Sequence, residues 1–224
     1  MMLQIPAVLK PAQLDTVRAL LSKARFVDGK LSAGMAAKRV KNNEELASDA
    51  NEIQQLNNIV MGSLVQHPMY QSGALPTRVA VPFYARYTAG KQYGDHVDDP
   101  VMGPPGQRYR SDVSITVFLN EPTDYEGGEL TIRTAFGDRQ VKLPAGDAVM
   151  YPSASLHHVA EVTQGERLVA VTWLQSMIRD PAKRELLYEM NSVREKLLRD
   201  HAEMPESKKL DICYANLIRM WAEI

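Results

Sequence analysis

Residues 111–119 read SDVSITVFL and residues 167–175 read RLVAVTWLQ. Both runs are short, rich in β-branched residues and flanked by polar or turn-forming ones, which marks strands rather than helices. The same two-residue period extends outward from about Thr77 to Gln175, with further candidate strands around 78–87, 92–98, 129–134, 139–143, 147–151 and 156–162. Turn chemistry separates the runs, including Thr88-Ala89-Gly90, Gly127-Gly128, Gly137-Asp138 and Pro144-Ala145-Gly146. Eight short antiparallel strands within roughly a hundred residues predict a jelly roll or small barrel.

On both sides the period changes. Leu14, Val17, Leu20 and Leu21, then Ile53, Leu56, Ile59, Val60 and Leu64, fall at helical spacing. After Asp180-Pro181, an N-cap followed by proline at the first helical position, Leu186, Met190, Val193 and Leu197 make one stripe. Leu210, Cys213, Leu217 and Trp221 make another. The expected organisation is an N-terminal helical region over residues 1–76 packing on the core, a β domain over 77–177 and a C-terminal helical extension over 178–224. The last stripes are also a candidate homo-oligomer interface.

Composition narrows the function. The 224 residues carry 26 Lys+Arg against 27 Asp+Glu, so no global field attracts nucleic acid. With 45% hydrophobic and 24% charged residues the chain has a globular balance. Cys213 is the single cysteine, which excludes an intrachain disulfide or a thiolate metal cluster. The N-terminal MMLQIPAVLKPAQLD has no basic segment ahead of a sustained apolar one, and no signal peptide is expected. The most apolar run, Leu168 to Leu174, is far shorter than the ~20 residues of a membrane span. These features predict a soluble, cytoplasmic protein that engages neither nucleic acid nor membrane.

Of the five histidines, His96, His157 and His158 fall in the β zone, while His67 and His201 lie in helical zones as surface or capping residues. His96-Val97-Asp98 sends an imidazole and a carboxylate to one face of a strand. Alone, the pair is weak evidence, because a surface contact would look the same. His157 strengthens it, since a jelly roll brings a late strand back beside an early one. Two His and one carboxylate on one face of an octahedron describe a non-haem Fe(II) oxygenase site, which leaves positions open for a chelating 2-oxo acid and O2. Such chemistry needs a shielded cavity, and a barrel lumen supplies one. Arg167 opens the strand that carries Val169, Val171 and Trp173 on its side. Either it sits at the solvated strand end beside Glu166, or a buried anion such as the distal carboxylate of 2-oxoglutarate meets it.

Tyr87-x-x-Gly90-x-x-Tyr93-x-x-His96-x-Asp98, Asn120-Glu121, Gly127-Gly128-Glu129-Leu130, Leu156-His157-x-Val159 and Arg167 with its strand through Trp173 occur in that order. Together they resemble the prolyl 4-hydroxylase branch of the Fe(II)/2-oxoglutarate dioxygenases, and the whole chain resembles the bacterial PKHD-type hydroxylases. The resemblance implies a mainly β double-stranded β-helix with flanking helices. It also implies Fe(II) held by His96, Asp98 and His157, Arg167 on the 2-oxoglutarate C5 carboxylate, a hydroxyl contribution from Tyr87, and Tyr93 packing near the ligand strand. Ascorbate is the implied reductant. Related animal hydroxylases carry a tyrosine where Phe118 stands here, so the cosubstrate carboxylate must be satisfied otherwise.

Strict alternation groups His158 with Leu156, Ala160 and Val162, and His157 with Val159 and Glu161, which favours His158 as the inward residue. The family's Leu-His-x-Val pattern favours His157, given a bulge that re-aims it. The Pro- and Gly-rich loop Asp99–Ser111, with Arg108, Tyr109 and Arg110, is expected to be either a lid contacting substrate or an ordinary solvated loop.

The expected activity is hydroxylation of a small-molecule or peptidyl substrate with O2, releasing succinate and CO2. Two rivals stand beside it: a cupin-like metalloenzyme that uses no oxo acid, and a non-catalytic jelly roll that senses iron or a carboxylate. The primary substrate is not legible in the residues.

Overall fold

The computed structural model describes residues 1–223. In chain order the elements are β1 (Leu3–Ile5), α1 (Pro11–Leu21), β2 (Phe26–Asp28), β3 (Lys41–Asn42), β4 (Glu44–Leu46), α2 (Ile53–Leu64) and α3 (Pro68–Ala74). The β zone follows with β5 (Pro76–Val79), β6 (Phe83–Thr88), β7 (Lys91–His96), β8 (Val101–Met102), β9 (Tyr109–Arg110), β10 (Val113–Phe118) and β11 (Tyr125–Gly127). It continues through β12 (Leu130–Thr134), β13 (Gly137–Val141), β14 (Ala148–Pro152) and β15 (His157–Ser176), after which come α4 (Pro181–Asp200) and α5 (Pro205–Trp221). The Asp180 carboxylate accepts from the Ala182 and Lys183 amides with Pro181 at the first helical position, as the residue types predict.

Thirteen antiparallel strands form one hydrogen-bonded sheet, with β8 and β9 making a separate hairpin. The sheet folds on itself at β15. The first part of β15 pairs with β7, β11 and β12, and the second with β5, β6 and β10. Its two layers face each other across a lumen, in the mainly β architecture with flanking helices that the sequence predicts.

Period two then builds two cores from the same strands. Ile115, Val117, Met150, Ala170 and Leu174 face outward and are covered by Leu14, Val17 and Leu21 of α1 and Leu56, Val60 and Leu64 of α2. Phe118, Val149, Tyr151 and Val169 face the lumen and meet Leu130, Ile132 and Val159 from the opposite layer. Fully burying one such side chain contributes on the order of 1.5–3 kcal/mol, so this double-sided packing is what fixes the lumen's shape.

Three details differ from the period reading. The run 78–87 divides into β5 and β6 at Ala80-Val81-Pro82, where proline cannot continue a ladder. The runs 156–162 and 167–175 are one continuous strand that changes partners rather than two. The N-terminal region is not helices alone, since β1 extends the sheet beside β14 while β3 and β4 pair with β7 and β6. Among the described residues no helix is long and apolar enough to cross a membrane.

Candidate metal centre

His96 ends β7 and His157 opens β15, and the two are cross-strand partners in the ladder. Asp98 lies two residues beyond β7, outside any strand. One ligand atom from each of His96, Asp98 and His157 lies within 4.8 Å of the others. His157 Nε2 is 3.9 Å from Asp98 Oδ2. The Nδ1 atoms of His96 and His157 meet the carbonyls of Gly94 and Ser155 at 2.8 and 2.9 Å. A carbonyl accepts only from N–H, so both rings carry a proton on Nδ1, which leaves Nε2 as the nitrogen available to a cation. Burial, and then the neighbouring His157, hold the His96 imidazole below its usual pKa, in the neutral form that ligates. Tyr93 stacks flat on His96, with ring centroids 3.6 Å apart.

Irregular pairing turns His157 inward and His158 outward. His157 and Val159 are buried and face the lumen, whereas His158 is half-exposed and bonds Asp95 Oδ1 at 2.8 Å on the outer side. The alternation argument fails because Val162 also faces inward. Opposite β7 the register slips between His157 and Val159 and again between Val159 and Val162, so the two-residue phase is reset between His157 and Val162, and a further slip follows against β11, between Val162 and Gln164. Gly127 makes the slip feasible. Its φ is +70°, and a Cβ there would stand 2.0 Å from the Glu161 carbonyl.

Arg167 is not at a solvated strand end: it is 1% exposed, among the most completely buried large side chains. Among the described residues its Nε and Nη1 have no hydrogen-bond partner. The guanidinium lies over the rings of Tyr87 and Phe118, 5.0 and 5.6 Å from their centroids. Aromatic faces offset part of the desolvation, but a buried cation with unpartnered donors is held at a cost of several kcal/mol unless an anion joins it.

A cavity of about 930 Å³ connects the two features, with His96, Asp98, His157, Tyr87, Tyr151 and Arg167 on its wall. Burial pushes the Tyr87 hydroxyl up to about 12 against the pull of Arg167, and pushes Tyr151 well above its ordinary range. Both hydroxyls therefore stay protonated and can donate at neutral pH. Phe118 packs beneath Arg167 and offers no hydroxyl.

Sequence reasoning missed Tyr151, whose ring centroid is 5.1 Å from that of His157. It also missed Lys41, Asn43 and Glu45, which the N-terminal strands bring to the cavity wall. Lys41 Nζ donates to Glu45 at 2.5 Å and lies 5.4 Å above the Tyr93 ring. The available signal was the run of polar residues at period two, 41, 43 and 45, in a segment read as merely helical and packing.

Val81, Phe83, Val101, Tyr109 and Trp173 also line the cavity, the first three of them exposed. The loop after Asp98 carries the hairpin β8–β9, and Tyr109 lines the cavity. Arg110 turns away from it. Its Nε donates to Asp112 at 2.6 Å and its Nη1 to Glu223 at 3.1 Å, tying the core to the C-terminal extension. Arg108 is exposed. His67 caps α3 by accepting from the Met69 amide, and His201 is the exposed C-cap of α4.

Residues 82–175 match the 2OG-Fe(II) oxygenase superfamily, and residues 181–223 match the PKHD-type hydroxylase C-terminal domain. A PKHD-type hydroxylase of Thioalkalivibrio sulfidiphilus is 54% identical over 224 residues, covering 100% of each chain. One from Caulobacter vibrioides is 44% identical over 227 residues, again covering 100% of each. Among solved structures, a Pseudomonas putida prolyl-4-hydroxylase matches with TM-score 0.51 and 21% identity over 78% of this chain and 92% of its own. A Trichoplax adhaerens prolyl hydroxylase in complex with a hypoxia inducible factor peptide fragment matches with TM-score 0.55 and 17% identity, covering 83% of this chain and 86% of its own. The solved structures agree on the fold.

Proposed function

The chain belongs to the PKHD-type hydroxylases of the 2OG-Fe(II) oxygenase superfamily, and from that premise we propose that it hydroxylates its substrate at a ferrous centre held by His96, Asp98 and His157. One observation carries the reading: the unpartnered, buried Arg167 shares a cavity with the His96, Asp98 and His157 cluster. A metal site alone would suit many enzymes. A metal site facing a buried guanidinium suits a cosubstrate that is a chelator at one end and a carboxylate at the other, which describes 2-oxoglutarate.

The residues fit both groups. Two imidazoles and a carboxylate are suited to Fe(II) and leave coordination positions open. Once bound, Fe(II) and 2-oxoglutarate supply the oxidative decarboxylation by O2 that releases succinate and CO2 and places one oxygen on the substrate. The chain's own contribution is position and exclusion. Arg167 orients the distal carboxylate with the two donors that now lack acceptors. Tyr87, stacked under that guanidinium, is a protonated donor to the same region. Tyr151 offers a second hydroxyl on the cavity wall where Phe118 offers none. Val159, Leu130 and Val171 keep the wall apolar and limit water at the reacting atoms. Ascorbate would be the reductant that returns bound iron to the ferrous state.

The cupin-like alternative gives Arg167 no role, and the sensing alternative leaves the open coordination face idle. The test is Fe(II)-dependent formation of succinate from 2-oxoglutarate under air, with mass spectrometry of candidate peptides and metabolites for a gain of one oxygen atom. A protein that takes up Fe(II) but neither binds nor consumes 2-oxoglutarate would overturn the reading.

A further inference from the structure

The three candidate ligands are not held alike. His96 and His157 belong to paired strands, and each ring is clamped by a carbonyl at Nδ1. Asp98 has neither support: it lies past the end of β7, and nothing in a ladder sets its carboxylate plane. Its hydrogen-bond donor among the described residues is Ser114, whose Oγ lies 2.5 Å from Asp98 Oδ2.

Ser114 stands in the middle of β10, fully buried in the run VSITVF, where an apolar side chain would be the ordinary occupant. A buried hydroxyl at such a place costs about 1–3 kcal/mol unless it is bonded. It is bonded twice, to Asp98 and, at 2.7 Å, to the Oγ of Ser153, itself 2% exposed. A carboxylate only accepts, and a serine has a single O–H proton. The direction of both bonds follows: Ser153 donates to Ser114, and Ser114 donates to Asp98. Ser153 is fixed in turn by its own amide, which donates to the Asp112 carbonyl at 3.2 Å.

We infer that Ser114 and Ser153 form a hydroxyl relay that positions the Asp98 carboxylate for the metal, an inference that rests on the ferrous-centre reading above. Each serine is a positioning residue that acts through Asp98 and touches no reacting atom. The bond to Oδ2 removes the carboxylate's rotational freedom before the cation arrives, and a second hydroxyl behind the first polarises the donor and strengthens it.

The test is Co(II) binding to the full-length protein, followed by calorimetry and by the cobalt d–d absorption spectrum, with the melting temperature of each metal-free variant measured alongside. Ser114→Ala is expected to weaken Co(II) binding by about 10–100-fold and to change the spectrum. Ser153→Ala, which leaves the Ser114 hydroxyl but removes its donor, is expected to weaken it by about threefold. In a relay the double variant binds as poorly as Ser114→Ala alone, to within about twofold. Loss factors that multiply would instead make the serines independent and overturn the relay. So would a Ser114→Ala protein with a lowered melting temperature and wild-type Co(II) affinity, which would mark a packing role. If Ser114→Ala does not fold, Ser153→Ala decides, and an unchanged affinity there overturns the relay. A wild-type protein that binds no Co(II) removes the metal centre itself, an outcome distinct from failure of the relay alone.

Discussion

The twenty residues of β15 carry both ends of the candidate site, and its two halves are built by different rules. From Glu166 to Leu174 the strand is a regular ladder: its pairs with β6 and β10 advance one residue at a time, and Arg167, Val169, Val171 and Trp173 share a face. From His157 to Val162 the register slips twice against β7, and between Val162 and Gln164 it slips against β11. The regular half buries Arg167, the proposed anion anchor, in an orientation that period two sets. The irregular half curls the layer inward so that one imidazole meets a second imidazole from β7 and the carboxylate that follows that strand. Convergence on a point requires curvature, and a flat ladder offers none.

The largest expected effect tests the irregular half. His157→Ala abolishes Co(II) or Fe(II) binding and 2-oxoglutarate turnover, while His158→Ala keeps most of both; the reverse outcome in a metal titration would shift the ligand by one residue. Next comes the regular half. Arg167→Met, similar in length and uncharged, is expected to raise the apparent 2-oxoglutarate constant by about 100-fold, the loss of charge-assisted bonds. Metal affinity should stay within about threefold. Equal loss of metal and cosubstrate would mean that the two halves are not separable.

The bulge itself is tested by Gly127→Ala. A positive φ and a carbonyl 2.0 Å from the added Cβ predict a destabilisation of about 2–4 kcal/mol. The melting temperature would fall by roughly 5–15 °C; a denaturant curve that matches wild type would show the slip tolerates a side chain. The smallest effect concerns the loop after Asp98. Arg110→Ala should lower stability by about 1–2 kcal/mol through its part-buried pair with Asp112. Arg108→Ala should leave stability alone, and neither should change the apparent substrate constant. A raised constant for either variant would show that these arginines, and not only the cavity-lining part of the loop, contact substrate.

What could be read beforehand followed the same division. Val113–Phe118 and Arg167–Trp173 are legible because both their faces are buried and their alternation is unbroken. His96 and Asp98 are legible as a pair because two residues of extended chain place them on one face. The burial of Arg167 was not legible, because a strand-initial arginine beside Glu166 reads equally well as solvated. Tyr151 and Ser114 escaped notice for another reason. A tyrosine in a sheet or a serine in a strand is ordinary, and each matters only for what stands opposite it. Lys41 and Glu45 were hidden behind the expectation of helices, since strands of two and three residues carry too little period to detect.

By itself the sequence determined the β zone, its flanking helices and the residue types that suit a metal and an acidic cosubstrate, because periodicity and side-chain chemistry are local properties. Only the tertiary structure decided which histidine turns inward, that the arginine lies buried with two unmet donors, and that a pair of serines backs the aspartate. Those facts depend on register slips and on partners from distant strands, and the energy of a buried polar group is set by what surrounds it rather than by its neighbours along the chain.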